Sequence, residues 1–197
     1  MKKDKSTDRI SHIVDATFKC IVEKGYANVT MNAIAEYAGL SKGAITHYFK
    51  SKQDIMIAVL NELDTKLYSI VNKIKEETNS KEDLHYRLGL SAGFQLIHDD
   101  FTLMFVIIDF LSQASNNTEY ASIIKSFIEK YRSLSSDGVQ SGSDAGVYKH
   151  VKTENIGAIV VALVLGIGIQ RMIDKEQFNF DEISAMAEEI VINYIAR

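Results

Sequence analysis

The sequence predicts an all-α chain, and three observations carry that prediction. It has no proline in 197 residues, where average usage of about 5% would place roughly ten. Its apolar residues recur at helical spacing along most of the length, without strand-like alternation. Its glycines, serines and asparagines fall between those periodic stretches, where helices are capped and stopped. The architecture expected is about nine helices: an N-terminal three-helix head over residues 1–50, then a helical bundle over 51–197.

Ile10, Ile13, Val14, Thr17, Phe18, Ile21 and Val22 follow the i, i+3, i+4, i+7 pattern of an amphipathic helix over residues 7–24. Gly25 ends it at the position that suits glycine after a helix. Thr30 stands as N-cap of a short helix from Met31 to Ala38, whose inward side is Ile34, Ala35 and Ala38. Gly39 stops that helix, and Ser41 caps another that runs to Tyr48. Ser51-x-x-Asp54 reads as a capping box with Asp in place of Glu. It opens a long helix to residue 77 with the stripe Ile55, Val59, Leu63, Leu67, Ile70 and Ile74. Ser80-x-x-Asp83 opens the next helix, to residue 97; another covers 101–114, and Asn116-x-x-Glu119 starts one to residue 135. Ser135 to Gly146, rich in Ser, Gly and Asp, reads as a mobile loop. Helices over 153–174 and 181–196 complete the set.

Composition narrows the class of protein. With 46% hydrophobic and 24% charged residues, the chain is ordinary for a globular domain, and disorder along its length is excluded. A single cysteine, Cys20, forms no internal disulfide and fits a reducing compartment. Lys2 and Lys3 are not followed by the apolar stretch of a signal peptide. The longest apolar run, Ile156 to Ile169, is fourteen residues, short of the roughly eighteen that a spanning helix needs. A soluble, cytoplasmic protein is expected. The net charge of −4 is unevenly spread: residues 1–52 hold nine Lys/Arg against five Asp/Glu, and residues 53–197 hold thirteen against twenty-one. A basic head on an acidic body directs the head towards a polyanion.

Residues 30–49 read as helix, glycine turn, helix, with each helix only two or three turns long. Such a pair buries little alone, so it must pack on the first helix through Phe18, Ile34, Ala35, Leu40, Ile45 and Phe49. That is the logic of a helix-turn-helix unit. Lys42, Thr46, His47 and Tyr48 then face outward, and each can donate a hydrogen bond to a phosphate or a base edge. The stretch Gly25-Tyr26-Ala27-Asn28-Val29-Thr30, then Ile34-Ala35-x-x-Ala38-Gly39-Leu40-Ser41-Lys42-Gly43, then His47-Tyr48-Phe49-Lys50-Ser51-Lys52 resembles the DNA-binding head of the TetR family of bacterial regulators. It departs from the usual pattern at Thr46, where that family commonly has Tyr, and at Ile55, where it commonly has Leu. The resemblance implies a homodimer that binds a palindromic double-stranded DNA operator and releases it when a small molecule enters the C-terminal bundle. Lys42 is the expected base reader, Thr46 offers a methyl to thymine, and Asn32 is a second base contact. Thr30, Ser41, His47, Tyr48 and Lys52 are assigned to phosphates.

The bundle supplies the expected effector site and dimer face. Residues 94–131 are rich in aromatics, and Leu63, Tyr68, Phe94, Met104, Phe105, Phe127 and Tyr131 are the expected lining for a small hydrophobic effector. Asp109 is the one acid in the apolar run from Leu103 to Leu111. If it faces the cavity, a cationic ligand offsets its desolvation; otherwise it pairs with an Arg or reaches solvent. Ala158, Ala162 and Gly166 form a small-residue ridge flanked by Ile159, Val161, Leu165, Ile169 and Met172. With Ile183, Met186, Ala187, Ile190, Val191 and Tyr194 of the last helix, it marks a homodimer face, unless that run is simply a monomer's central helix. Glu82-x-x-His85 is one half of a di-iron pattern without its second copy, and His150 with Glu154 lacks a third ligand. No phosphate loop, nucleophile elbow or zinc cysteine pair occurs, so neither an enzyme nor a bound cofactor is expected. The competing reading is an architectural DNA-binding helical protein without small-molecule control.

Overall fold

A computed structural model of the chain describes residues 5–77, 90–99 and 101–197. Among these, nine α-helices follow one another: α1 (Lys5–Lys24), α2 (Met31–Tyr37), α3 (Lys42–Tyr48), α4 (Lys52–Glu77), α5 (Leu90–Asp99), α6 (Thr102–Ala114), α7 (Thr118–Asp144), α8 (Thr153–Ile173) and α9 (Phe180–Ile195). A single 3-10 turn, Tyr26–Asn28, joins α1 to α2. The expected helix start at Ser80 lies outside the described residues. The chain packs as two compact units, Met1–Thr65 and Lys66–Arg197, with α4 contributing to both.

In the first unit α1 buries Ile13, Ala16, Thr17, Cys20 and Ile21. Val14 is buried with them, so the packed side keeps Ile13, Val14, Thr17 and Ile21 of the expected stripe and adds Ala16 and Cys20. Val22, placed in the expected stripe, is 74% exposed, and Ile10 is exposed as well. Thr17 is accommodated in the core because its hydroxyl donates to the Ile13 carbonyl at 2.8 Å. Cys20 is fully buried, and burial pushes its thiol above the usual range, away from the reactive thiolate.

In the second unit small residues let helices approach closely. A Cβ on Gly157 of α8 would stand 2.3 Å from the Arg132 carbonyl oxygen of α7. One on Gly168 would meet Met104 and Ile97, and one on Gly93 would meet Val164. Helix α7 begins one residue later than expected, with Asn117 accepting from the backbone N–H groups of Glu119 and Tyr120. It also runs through the stretch expected as a mobile loop. Ser135, Val139, Gly142 and Ser143 are buried at helical spacing, and the packed side outweighs the weak helix propensity of Ser and Gly. The Ser143 hydroxyl is satisfied within the helix, 3.0 Å from the Val139 carbonyl. Beyond α7, Tyr148 pairs with Ala196, tying the C-terminal end back to the bundle.

Helix α8 has 21 residues with a mean hydropathy of 2.2 over its best window. By length and composition alone it could cross a membrane, so the fourteen-residue run understates the helix. Ile156, Gly157, Val160, Ile167 and Gly168 are buried on one side. On the other, Ala162 is exposed and Ile159 is 49% exposed.

Gly157→Ala should lower the melting temperature by the equivalent of about 1–3 kcal/mol, because the methyl meets backbone that cannot rotate away. Thermal unfolding followed by circular dichroism measures this; an unchanged midpoint would contradict the close α7–α8 approach.

Candidate nucleic-acid interface and effector bundle

Helices α2 and α3 have seven residues each, too short to persist without capping and packing. Thr30 Oγ1 accepts from Ala33 N at 3.1 Å, and Ser41 Oγ accepts from Ala44 N at 3.1 Å. Between them Gly39 adopts φ +62°. Its N–H donates to Glu36 O at 3.1 Å and the Leu40 N–H to Ala35 O at 2.9 Å, the paired bonds of a glycine-terminated helix end. His12 of α1 donates through Nε2 to the Ala38 carbonyl at 2.8 Å. Lys24 pairs with Glu36 at 3.0 Å, and Tyr37 donates to Glu23 at 3.0 Å. The bond to Glu36 raises the Lys24 pKa; desolvation, then the bond to Glu23, raises that of Tyr37. These three ties hold the C-terminal end of α2 to α1.

This frame leaves a polar side on α3. Lys42 opens the helix and is exposed, as are Asn32 of α2, Thr30, Ser41 and His47; Thr46, Tyr48 and Lys52 are half-buried. The Thr46 hydroxyl donates to Gly43 O at 3.0 Å, so the methyl is its free group. His47 and Tyr48 stack edge to face with centroids 5.0 Å apart. Lys52 Nζ lies 4.5 Å from the centre of the Tyr26 ring, which orients the ammonium. Tyr26 was not singled out by the sequence reading beyond its place in the motif, because nothing in the spacing shows a ring under a lysine 26 positions on. Asp54 accepts from Lys50 N and Ser51 N, each at 2.9 Å, while Asp54 N donates to Ser51 Oγ at 3.1 Å. The expected capping box therefore forms, with Asp as the acid.

In the bundle the expected effector residues fall into separate groups. Phe127 and Tyr131 have ring centres 4.7 Å apart, and Lys130 Nζ lies 5.0 Å from the Tyr68 ring and 5.7 Å from Tyr131. Tyr68 itself is 47% exposed. Phe94 packs edge-on against Phe180, with centroids 5.9 Å apart, and Met104 is buried near Gly168. Phe105 and Asp109 are half-buried on α6, Asp109 beside exposed Ile108. Leu63 is buried and belongs to the first unit. One group was missed: the Arg171 guanidinium lies 4.7 Å from the Phe101 ring centre and 4.2 Å from that of Phe180. Its sequence signal is a lone cation ending the uncharged run from Asn155 to Gln170. Among the described residues no group of three His, Cys, Asp or Glu could hold a metal ion; Glu82 and His85 lie outside them.

The sequence model described as "Bacterial regulatory proteins, tetR family" matches residues 13–59, the span of this capped helix pair and its flanks. The "Fatty acid metabolism regulator protein" of Bacillus subtilis (strain 168) is 32% identical over 135 residues, 66% of this chain and 68% of that protein. The chain belongs to the TetR family. The fold also matches that of a transcriptional regulator from Saccharomonospora viridis solved with choline, with TM-score 0.77 and 18% identity over 97% of this chain and 99% of that one. It matches the regulator FadR from Bacillus subtilis solved with stearoyl-CoA, with TM-score 0.74 and 21% identity over 92% and 97% of the two chains. As a TetR-family member the protein is a DNA-binding transcription regulator, and its head is the unit that carries the family signature.

Two substitutions separate the roles assigned on α3 and α4 of this TetR-family head. Lys42→Ala should relax preference at one operator position and weaken specific binding by about 1–3 kcal/mol. Lys52→Ala should weaken all DNA alike and reduce the salt slope by about one. Titrations against specific and random duplexes at several salt concentrations measure both; equal losses on the two duplexes for both variants would refute the assignment.

Proposed function

We propose that this protein is a repressor that binds a palindromic operator as a homodimer and releases it when a small hydrophobic effector enters the bundle. The observation that carries the reading is the donor-bearing side of α3, exposed on a helix capped and buttressed from behind. Lys42 and Asn32 read bases, Thr46 presents its methyl, and Thr30, Ser41, His47, Tyr48 and Lys52 hold phosphates. Thr30 and Ser41 can serve twice: each oxygen accepts from its own helix, and each hydroxyl hydrogen remains available to a phosphate. The protein is expected to act in the cytoplasm, where its operator is.

Homodimerisation is supported by the uncovered strip on the last two helices. Ile159, Ala162, Gly166 and Ile173 lie along one side of α8, and Met186, Ile190 and Tyr194 along one side of α9. A Cβ on Gly166 would meet nothing within 4 Å, which leaves room for a second helix to approach. Apolar surface of this extent on a lone chain marks an interaction site, and a second copy is the partner that makes an operator palindrome useful.

Effector control is supported by the ligands of the two structural relatives, stearoyl-CoA and choline. The lining proposed within the second unit is Tyr68, Phe94, Met104, Phe105, Asp109, Phe127 and Tyr131. Helix α4 is continuous over 26 residues, about 39 Å at 1.5 Å per residue, and can transmit a bundle event to the head. An effector does so only by binding the released state more tightly than the DNA-bound one.

Footprinting on DNA around the protein's own gene, with stearoyl-CoA or choline added in turn, tests the reading. Protection of a two-fold-symmetric site that one of the compounds lifts is the expected result. Protection that no small molecule alters would favour the architectural alternative. Ile190→Glu should turn a dimer at micromolar concentration into a monomer in sedimentation equilibrium, since it places a charge in the proposed apolar interface; a wild-type monomer would remove the dimer.

A further inference from the structure

Helix α8 carries no Lys or Arg from Thr153 until Arg171, and that arginine is unusually placed. Phe101 and Phe180 hold its guanidinium through their faces, at 4.7 and 4.2 Å. Aromatic faces fix the group but do not accept its in-plane N–H donors in the way a carboxylate does. Its Nη1 is buried and donates to no acceptor among the described residues. Three described acids on neighbouring segments have other partners. Asp99 and Asp181 lie 3.1 and 3.8 Å from the ring nitrogens of His98, and Asp174 accepts from Gln177 N at 3.0 Å. A second cation joins the group, with Lys175 Nζ 5.1 Å from the Phe101 ring. Phe101 is also the N-cap residue of α6 and provides no side-chain cap, so the positive end of that helix adds to the field there.

We propose that Arg171, clamped between Phe101 and Phe180, receives the anionic end of the effector, a carboxylate or phosphate carried on an apolar chain. A guanidinium fork with a free, buried donor matches either group, and the charge-assisted bond is strong where water is displaced. Phe94 packs against Phe180, so apolar side chains adjoin the clamp. The inference rests on the reading of the bundle as an effector domain, and narrows that effector from hydrophobic to acidic and amphiphilic.

The test is calorimetric titration of the full-length protein with decanoate, decyl phosphate, decanol and decyltrimethylammonium, repeated with Arg171→Met and Arg171→Lys. Wild type should bind at least one of the two anions more tightly than the alcohol or the cation. Arg171→Met, which keeps the stem and removes the donors, should weaken the anions about tenfold or more and leave decanol unchanged. Arg171→Lys, which keeps the charge but not the fork, should fall between. The order of decanoate and decyl phosphate tells which head group the site prefers. The melting temperature of ligand-free Arg171→Met should fall only by the loss of the two ring contacts, because no acceptor loses its donor; if the variant fails to fold, the Lys variant carries the comparison. Equal binding of the anions to wild type and both variants would overturn the inference, as would a wild-type preference for the cation. Binding of decanol or the cation without the anions would overturn it while leaving the effector reading intact; binding of none of the four would count against both.

Discussion

Everything in the C-terminal unit follows from the need to cover α8. Over Thr153–Ile173 it has one acid near its start and one base near its end, and a helix so apolar must be buried on several sides. Helices α5, α6, α7 and α9 all pack against it. The closest approaches occur where a glycine removes the obstacle, at Gly157 against α7 and at Gly168 against α5 and α6. The four neighbours do not complete the cover. The remaining strip from Ile159 to Ile173 is therefore a consequence of the same composition that builds the core, and a second copy is the simplest cover for it. The single cation Arg171 stands at the end of the helix because nowhere further in could its charge be carried.

The head obeys a different constraint. Its two seven-residue helices bury too little to be held by apolar packing alone, so polar links supply the order. Thr30, Ser41 and the Gly39 turn satisfy the helix ends, while His12, Lys24 and Glu23 tie α2 to α1. Thr30 and Ser41 belong both to this frame and to the side proposed to meet DNA, so the geometry and the interface share residues. Several of the ties are exposed, where an ion pair contributes only about 0–1 kcal/mol. Their value lies in number and placement rather than in any one bond.

Much of this was legible before any coordinates. Thr30, Ser41 and the Ser51–Asp54 box act as caps because short polar side chains have few other uses beside a periodic apolar stretch. Gly39 is readable for the same reason. The bundle is harder to read, since burial there depends on which side of each helix meets which neighbour. The Ser/Gly-rich stretch after Ser135 reads as a loop by composition, yet the buried positions 135, 139, 142 and 143 keep it helical. Val22 looks like core by local pattern, but the side of α1 that is packed also takes in Ala16 and Cys20 and leaves Val22 exposed. Arg171 and Tyr26 could not be placed from spacing, as each acts through rings or charges distant in sequence. The aromatics form distinct pairs, Phe94 with Phe180, Phe110 with Tyr120 and Phe127 with Tyr131, two of them between helices that sequence spacing does not link.

Two charged side chains in the bundle would make opposite demands on the proposed effector. Asp109 is half-buried next to exposed Ile108 and Leu111. Arg171 has a donor nitrogen wholly removed from solvent and facing no acceptor, and leaving such a group unsatisfied costs about 1–3 kcal/mol or more. A ligand anion that relieves this cost gains affinity from a defect already present in the ligand-free protein. The same gain can drive release from DNA only if the clamp of Phe101, Arg171 and Phe180 differs between the two states. These three residues sit at the ends of α6, α8 and α9, so a small shift of one helix end would alter the clamp.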